Sequence, residues 1–306
     1  MTLTPRLATL LTLPPLLWAG NAVVGRLMVG SVPPLALNAL RWSLALLLLA
    51  PLARRLFTAS ELSQLARRWR YFALTGVLGM GCYNALQYQA LRTSSVLNVT
   101  LIAASLPVWM LAVGALGFGV RPTGRQVLGA GLSLAGVALV IARGQPLALA
   151  QVHFVIGDLL MLGAIFSWAI YSWLLARPPQ AMRGDERPDW NWAEMLMAQG
   201  LFGLVFAGGS AGLEQLAGAQ PIAWGSGLAW ALLYVAVGPS LIAYRCWGLG
   251  VAEAGPAIAA FFGNLTPVFA ALMSAALLGE WPQWFHGLAF LLIAAGIVVS
   301  ARRPPG

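Results

Sequence analysis

Apolar residues run along the chain in blocks, and charge appears where the blocks end. Charge-free stretches cover 7–25, 71–91, 93–120, 126–142, 159–176, 195–213, 215–244, 254–279 and 281–301, and a further block over 33–53 is interrupted only by Arg41. A bilayer's hydrocarbon layer, about 30 Å thick, is crossed by roughly 20 apolar residues in helical form. Each block therefore predicts a transmembrane helix, and the short alternating segments of a β-barrel are missing. The expected fold is an all-α polytopic membrane protein with ten transmembrane helices. The first block carries Trp18, Asn21 and Arg26 and has no small-residue cleavage site, so it reads as a retained span rather than a cleaved signal.

Composition sharpens this picture. The 306 residues are 59% hydrophobic and 9% charged, with a mean hydropathy of +0.79, whereas soluble domains carry about 25% charged residues. A soluble enzyme, a disordered chain and a fibrous repeat are excluded on these grounds. All 18 basic residues are arginine and the net charge is +9. In a membrane protein such an excess belongs to cytoplasmic loops rather than to nucleic-acid binding. With ten spans and both termini cytoplasmic, 14 arginines fall at inner ends, three (Arg26, Arg92, Arg143) at outer ends, and Arg41 inside a span. The absence of lysine suggests a GC-rich, bacterial source. The stretch 177–194 mixes Arg, Asp, Glu and Pro and reads as a solvated cytoplasmic linker between spans six and seven. Cys82 and Cys246 lie in apolar runs and read as free thiols, and no metal or cofactor site is expected.

The chain also resembles itself. Aligned without gaps at a shift of 160, residues 107–143 and 267–303 share ten identities, among them Pro107 with Pro267, Gly119 with Gly279, Pro122 with Pro282 and Gly136 with Gly296. A weaker match at a shift of 150 pairs Trp18-Ala19 with Trp168-Ala169. The halves are residues 1–145 (spans 1–5) and 146–306 (spans 6–10). Five is an odd number, so the second half must enter the membrane from the opposite side. The charges agree: Arg121 and Arg125 occupy the loop between spans four and five, while the matching loop, Glu280 to Trp284, has no arginine. Two five-helix inverted-topology repeats are the architecture of many secondary transporters, with the substrate site near the midplane where the halves meet.

Several segments carry a family resemblance. Gly263-Asn264-Leu265-Thr266-Pro267-Val268 followed by Leu278-Gly279-Glu280, the first-half copy Ala104-Ser105-Leu106-Pro107-Val108, and Gly157-Asp158-Leu159-Leu160 with Ser167-Trp168-Ala169 resemble the EamA family of the drug/metabolite transporter superfamily. Val120 stands where the first-half copy would have the glutamate. Over the whole chain the likeness is greatest to YddG-type aromatic amino-acid exporters of bacterial inner membranes. The resemblance implies a secondary transporter exporting small metabolites, with aromatic amino acids preferred.

Candidate substrate ligands are polar and aromatic residues inside spans, which suit the ring and the charged groups of an amino acid. They are Trp18 and Asn21 on span one, Tyr83 and Gln87 on span three, Asn98 on span four, Trp168 and Tyr171 on span six, Tyr244 on span eight and Asn264 on span nine. Each is equally readable as a lipid or helix contact. Pro107 and Pro267 are candidate hinges. Trp190, Trp192, Trp224, Trp281, Trp284 and Tyr71 read as interfacial anchors. Arg41 has three readings, in order of preference: it snorkels outward, pairs with Asp158, or holds a substrate carboxylate. Glu253 and Glu280 read as solvated. An intramembrane enzyme is the reading from a different class, but His153 and His286 lack a nucleophilic partner by spacing. Gly129, Gly131, Gly136, Gly287 and Gly296 predict close packing of spans five and ten. Oligomeric state is left open, with the bilayer and a small-molecule substrate as the expected partners.

Overall fold

A computed structural model describes residues 4–141, 144–145, 155–278, 281 and 283–301. Most of those residues are helical, and there is no strand among them. Helix α1 spans Pro5–Leu27, and Thr4 caps it by accepting the Leu7 N–H at 3.2 Å. Helix α2 covers Pro34–Leu49 and α3 covers Ala59–Arg67. A continuous helical run follows, made of α4 (Trp69–Gly76), a π-helical stretch Val77–Cys82 and α5 (Tyr83–Ala90). Next come α6 (Val96–Ala103), α7 (Leu106–Phe118), α8 (Gly124–Ile141), α9 (Ile156–Ala176) and α10 (Trp192–Leu216). A second widened run joins α11 (Ser226–Val235), the π-helical stretch Ala236–Ile242 and α12 (Ala243–Ala254). The chain ends with α13 (Pro256–Gly263), α14 (Thr266–Leu278) and α15 (Trp284–Ala301).

Five of these runs are long and apolar enough to cross a membrane: 5–27, 156–176, 192–216, 226–254 and 256–277. Shorter apolar helices accompany them at 34–49, 106–118 and 287–300. Large apolar side chains such as Leu47, Leu116, Val205, Leu216 and Trp230 stand exposed on their outer faces. Such continuous apolar exposure needs a lipid solvent, and the molecule has the character of a helical membrane protein.

Two helices are broken in the middle. Between α6 and α7 the break falls at Ala104-Ser105, and between α13 and α14 at Asn264-Leu265. A proline follows each break at the second position of the new helix, Pro107 and Pro267. Proline has no N–H to return to the preceding turn, and its ring crowds the carbonyl four residues back. Adding 160 to the starts of α6, α7 and α8 gives the starts of α13, α14 and α15.

The matched helices touch, and they run in opposite directions. A Cβ on Gly129 of α8 would strike the Ser300 hydroxyl and lie 2.6 Å from the Gly296 carbonyl of α15, whereas one on Gly136 would lie 2.9 Å from the Ala289 carbonyl. As numbers rise along α8, they fall along α15. Gly131 and Gly287, expected at the same contact, face open space. Helices α2 and α10 also pack in opposite senses: Gly200 meets Leu46, and Glu214 reaches the start of α2 at Leu35 and Ala36. The broken helices also touch, α6 against α14 and α7 against α13.

Three expectations are corrected. The 177–194 segment is not simply solvated: Arg68 donates to the Ala181 and Glu186 carbonyls, and Trp190 donates to Glu61 at 2.7 Å. Met182 and Trp190 are buried there, so Trp190 is not an interfacial anchor; Trp192 packs beneath the Arg245 guanidinium, 5.2 Å from its ring. The eighth block was expected to end at 244, but its helix continues through Arg245 and Glu253 to Ala254. It stops at Gly255, whose φ of 82° a side-chain-bearing residue adopts only with strain. Glu253 pairs with Arg6 at 3.5 Å on the surface, and Trp224, Trp281 and Trp284 are exposed. Both cysteines are free thiols. His153 and Glu280, with the side chains of Asn98 and His286, lie outside the described residues.

Candidate functional site

Helix α1 presents Trp18, α9 presents Trp168 and Tyr171, α5 presents Tyr83, and α12 presents Tyr244 and Trp247. Their rings meet in one buried cluster. Trp168 is its hub, with ring centroids 5.0 Å from Trp18, 5.0 Å from Tyr83, 4.9 Å from Tyr171, 5.3 Å from Tyr244 and 5.6 Å from Trp247. Trp18 and Tyr244 meet Trp168 edge-on, the arrangement the ring quadrupole favours. Trp42 of α2 extends the cluster, 5.1 Å from Tyr244. A buried indole N–H needs an acceptor. Trp18 finds the Pro239 carbonyl at 3.2 Å, Trp42 the Met80 carbonyl at 3.1 Å, and Trp247 the Ser172 hydroxyl at 3.2 Å.

The two π-helical stretches supply several of these acceptors. A π-turn widens the helix and shifts its hydrogen-bond register, and such turns concentrate at functional sites. The Gly79, Met80, Gly81 and Pro239 carbonyls all accept from side chains: Tyr244 to Gly79, Asn84 and Trp42 to Met80, Asn38 to Met80 and Gly81, Trp18 to Pro239.

Beside the rings lies a polar network around Arg41, which is fully buried. Its Nε donates to the Ser240 hydroxyl at 2.6 Å. Its Nη1 reaches Asn84 Oδ1 at 2.6 Å, the Tyr88 oxygen at 3.1 Å and Asn21 Oδ1 at 3.2 Å. Tyr88 donates to Asn21 at 2.7 Å, and Asn21 Nδ2 donates to Gln87 Oε1 at 2.8 Å. Two expectations for Arg41 fail here. It does not snorkel, because burial by α1, α5 and the second π-stretch leaves it no route to solvent. It does not pair with Asp158, whose carboxylate instead accepts from Ser94 at 2.6 Å and from the Val155 N–H at 3.1 Å.

Two cavities flank this centre. The first, about 560 Å³, opens where α1 ends and α2 begins, and its wall includes Val29, Leu37, Tyr88, Gln89, Arg92 and Glu214. Glu214 spans its rim, accepting from the Leu35 and Ala36 N–H groups at 2.9 and 3.0 Å and from Gln89 at 3.2 Å. The second, about 370 Å³, opens where α9 ends and α10 begins, and Tyr71, Tyr171, Gln199, Tyr244 and Arg245 contribute to its wall. Tyr88 thus joins the first cavity to the Arg41 network, and Tyr171 and Tyr244 join the second cavity to the rings.

The sequence-predicted residues divide accordingly. Trp18, Tyr83, Trp168, Tyr171 and Tyr244 come together in the ring cluster, and Asn21 and Gln87 in the polar network. Asn264 sits apart from them in the chain at the α13–α14 break, buried, with neither amide atom hydrogen-bonded. The Asn98 side chain is outside the described residues. Pro107 and Pro267 are buried next to the two breaks. Sequence reasoning missed Trp42, Asn84, Tyr88, Ser240 and Trp247. Asn84 and Tyr88 were within reach, since they share the face of Arg41's partner helix at a spacing of four; Ser240 follows Gly238-Pro239, itself a signal of a disturbed helix.

Comparisons with known proteins agree with this architecture. The model of the EamA-like transporter family matches residues 7–142 and 155–302. An uncharacterized transporter from Archaeoglobus fulgidus is 24% identical, with 96% of each chain covered. The uncharacterized transporter YyaM of Bacillus subtilis is also 24% identical, covering 78% of this chain and 75% of that one. The aromatic amino acid exporter YddG of Ancylobacter novellus is 27% identical, covering 94% of this chain and 95% of that one. A solved crystal structure, 22% identical, superposes with a TM-score of 0.70 over 96% of both chains, a likeness of fold.

Proposed function

The chain belongs to the EamA-like transporter family, and on that premise we propose that it is a secondary transporter exporting amino acids, aromatic ones preferred, by alternating access across a bacterial inner membrane. The observation that carries this reading is the ring cluster of Trp18, Tyr83, Trp168, Tyr171 and Tyr244 between two cavities that open near opposite ends of the helices. Aromatic walls suit an aromatic cargo, and a polar network alongside suits its charged groups. One relative's name, aromatic amino acid exporter, points the same way.

The proposed architecture is ten spans in two five-helix inverted repeats, 1–145 and 146–306, with both termini cytoplasmic. The antiparallel contact of α8 with α15 supports it, as does the 160-residue recurrence of helix starts. In that orientation the first cavity is an outer vestibule and the second an inner one. The halves exchange conformations about the midplane, and the breaks before Pro107 and Pro267 act as hinges that let α6–α7 and α13–α14 bend. Trp18, Asn21, Tyr83, Gln87, Trp168, Tyr171 and Tyr244 contact the cargo in turn from the two sides, with Asn98 and Asn264 on the broken helices.

The test is counterflow into proteoliposomes preloaded with phenylalanine, tryptophan or threonine. Labelled phenylalanine and tryptophan are expected to accumulate. Accumulation of none of the three sinks the amino-acid reading and moves the protein to another small metabolite or drug.

A further inference from the structure

We propose that the Arg41 guanidinium docks a carboxylate of the transported molecule, so that this carrier selects cargo by its anionic group as well as by its ring. The inference deepens the transport reading above and rests on it for the cargo's passage, but the docking chemistry stands on its own geometry.

Arg41 is a permanent cation with five N–H donors, and it is held at 0% exposure. Every acceptor it meets is neutral: Ser240, Asn84, Tyr88 and Asn21. Its Nη2 is buried with no hydrogen-bond partner. A cation buried without a counter-ion carries a large desolvation cost, and within a membrane segment such a group is by default functional. Among the described residues, no hydrogen bond or ion pair brings one of the protein's own carboxylates to Arg41. Asp158 accepts from Ser94 and Val155, and Glu194 closes the start of α10 by accepting from the Asn191 N–H at 2.8 Å. The ion pairs among the described residues, Arg6–Glu253, Arg55–Glu61 and Arg55–Asp189, have exposed arginines. What is missing from the Arg41 site is therefore an anion, and a planar fork with one free nitrogen matches a carboxylate.

Position supports the same conclusion. Tyr88, which bonds Arg41 directly, is in the outer vestibule wall. Tyr244, in the inner vestibule wall, accepts at 3.3 Å from Asn84, whose other amide atom bonds Arg41. Tyr88 thus separates Arg41 from the outer side, and Asn84 with Tyr244 separates it from the inner side. Asn84 and Tyr244 are themselves 160 residues apart, so the link joins equivalent positions of the two halves. The charged residues lining the inner vestibule are Arg187 and Arg245, which favour the approach of anions.

The test uses ligand-induced thermal stabilisation of the detergent-solubilised full chain. The probes are phenylalanine, 3-phenylpropionate (carboxylate without amine), phenethylamine (amine without carboxylate) and butyrate. Phenylalanine and 3-phenylpropionate are expected to bind at least about tenfold more tightly than phenethylamine, the loss of one charge-assisted contact. Asn21→Asp places a built-in carboxylate beside Nη1, and Gln87 can turn its amide to donate to it. That variant is expected to fold, to resist heat better than the wild type, and to lose the tenfold preference for carboxylates. Arg41→Lys, which keeps the charge and loses the fork, is expected to weaken 3-phenylpropionate binding. Phenethylamine binding as tightly as phenylalanine overturns the proposal, as does an unchanged carboxylate preference in Asn21→Asp, or stabilisation by no carboxylate at all. Butyrate binding as tightly as 3-phenylpropionate supports the Arg41 site and overturns the aromatic preference instead.

Discussion

A single methyl group on α8 measures how closely the two matched helices approach. Gly129→Ala places a Cβ against the Ser300 hydroxyl and 2.6 Å from the backbone carbonyl of Gly296. The hydroxyl can rotate away, but the carbonyl cannot, so α8 and α15 must separate by several tenths of an ångström. Overpacking of this kind costs about 1–3 kcal/mol, set against a gain of about 1 kcal/mol from replacing glycine by alanine within a helix. Gly131→Ala, two residues along the same helix, collects the same propensity gain but meets nothing within 4 Å. The difference between the two variants therefore isolates the packing penalty, about 1–3 kcal/mol. Ser300→Ala in the Gly129→Ala background is expected to recover part of the loss, because the Gly296 carbonyl remains in place. Reversible unfolding in mixed micelles, followed by circular dichroism at increasing sodium dodecyl sulfate, reads the difference directly. Equal stability of Gly129→Ala and Gly131→Ala would refute the close antiparallel contact, and with it the strongest structural support for an inverted repeat.

Other perturbations address the site. Trp168→Ala removes the hub of five ring contacts and is expected to lower stability by about 3–5 kcal/mol and to abolish counterflow of labelled tryptophan; Trp18→Ala is expected to impair counterflow, and unchanged transport in both removes the ring cluster from the path. Glu214→Ala deprives α2 of the carboxylate that accepts from Leu35 and Ala36, with an expected loss of about 1 kcal/mol in thermal unfolding, and Glu214→Gln should lose less. Gly76→Ala pushes a methyl into the Gln199 backbone carbonyl and to 2.8 Å from the Gly203 nitrogen, and is expected to reduce the yield of folded protein more than any of the α8 variants.

Much of this is legible in the sequence. Apolar blocks marked the helices because a bilayer accepts little else, and the identities at a shift of 160 anticipated the recurrence of α6, α7 and α8 as α13, α14 and α15. Trp18, Tyr83, Trp168, Tyr171 and Tyr244 stand out in the sequence as aromatic residues inside spans, and their rings do meet. The failures have physical causes. Charge was used to mark helix ends, but Arg245 continues its helix by laying its guanidinium over Trp192, so the eighth boundary was misplaced. Helix α3 is short and amphipathic, and a search for long apolar blocks passes over it. Arg41 was expected to reach the surface because an isolated helix offers no other relief. Its actual acceptors come from α1, α5 and the second π-stretch, and no one-dimensional pattern brings those together. The π-helical stretches likewise leave only faint traces, a Gly79-Met80-Gly81 run and a Gly238-Pro239 pair.

The central claim is that one site is reached in turn from two vestibules. Its most direct test places a single cysteine in each, Val29→Cys outside and Gly248→Cys inside, in a chain whose Cys82 and Cys246 are replaced by alanine. Both positions line their cavities, and a side chain at Gly248 meets nothing within 4 Å. Labelling by a small thiol reagent is followed with and without saturating phenylalanine. The account predicts reciprocal change, one cysteine becoming more reactive as the other becomes less so. Two cysteines that rise or fall together, or that ignore phenylalanine while counterflow proceeds, would contradict it.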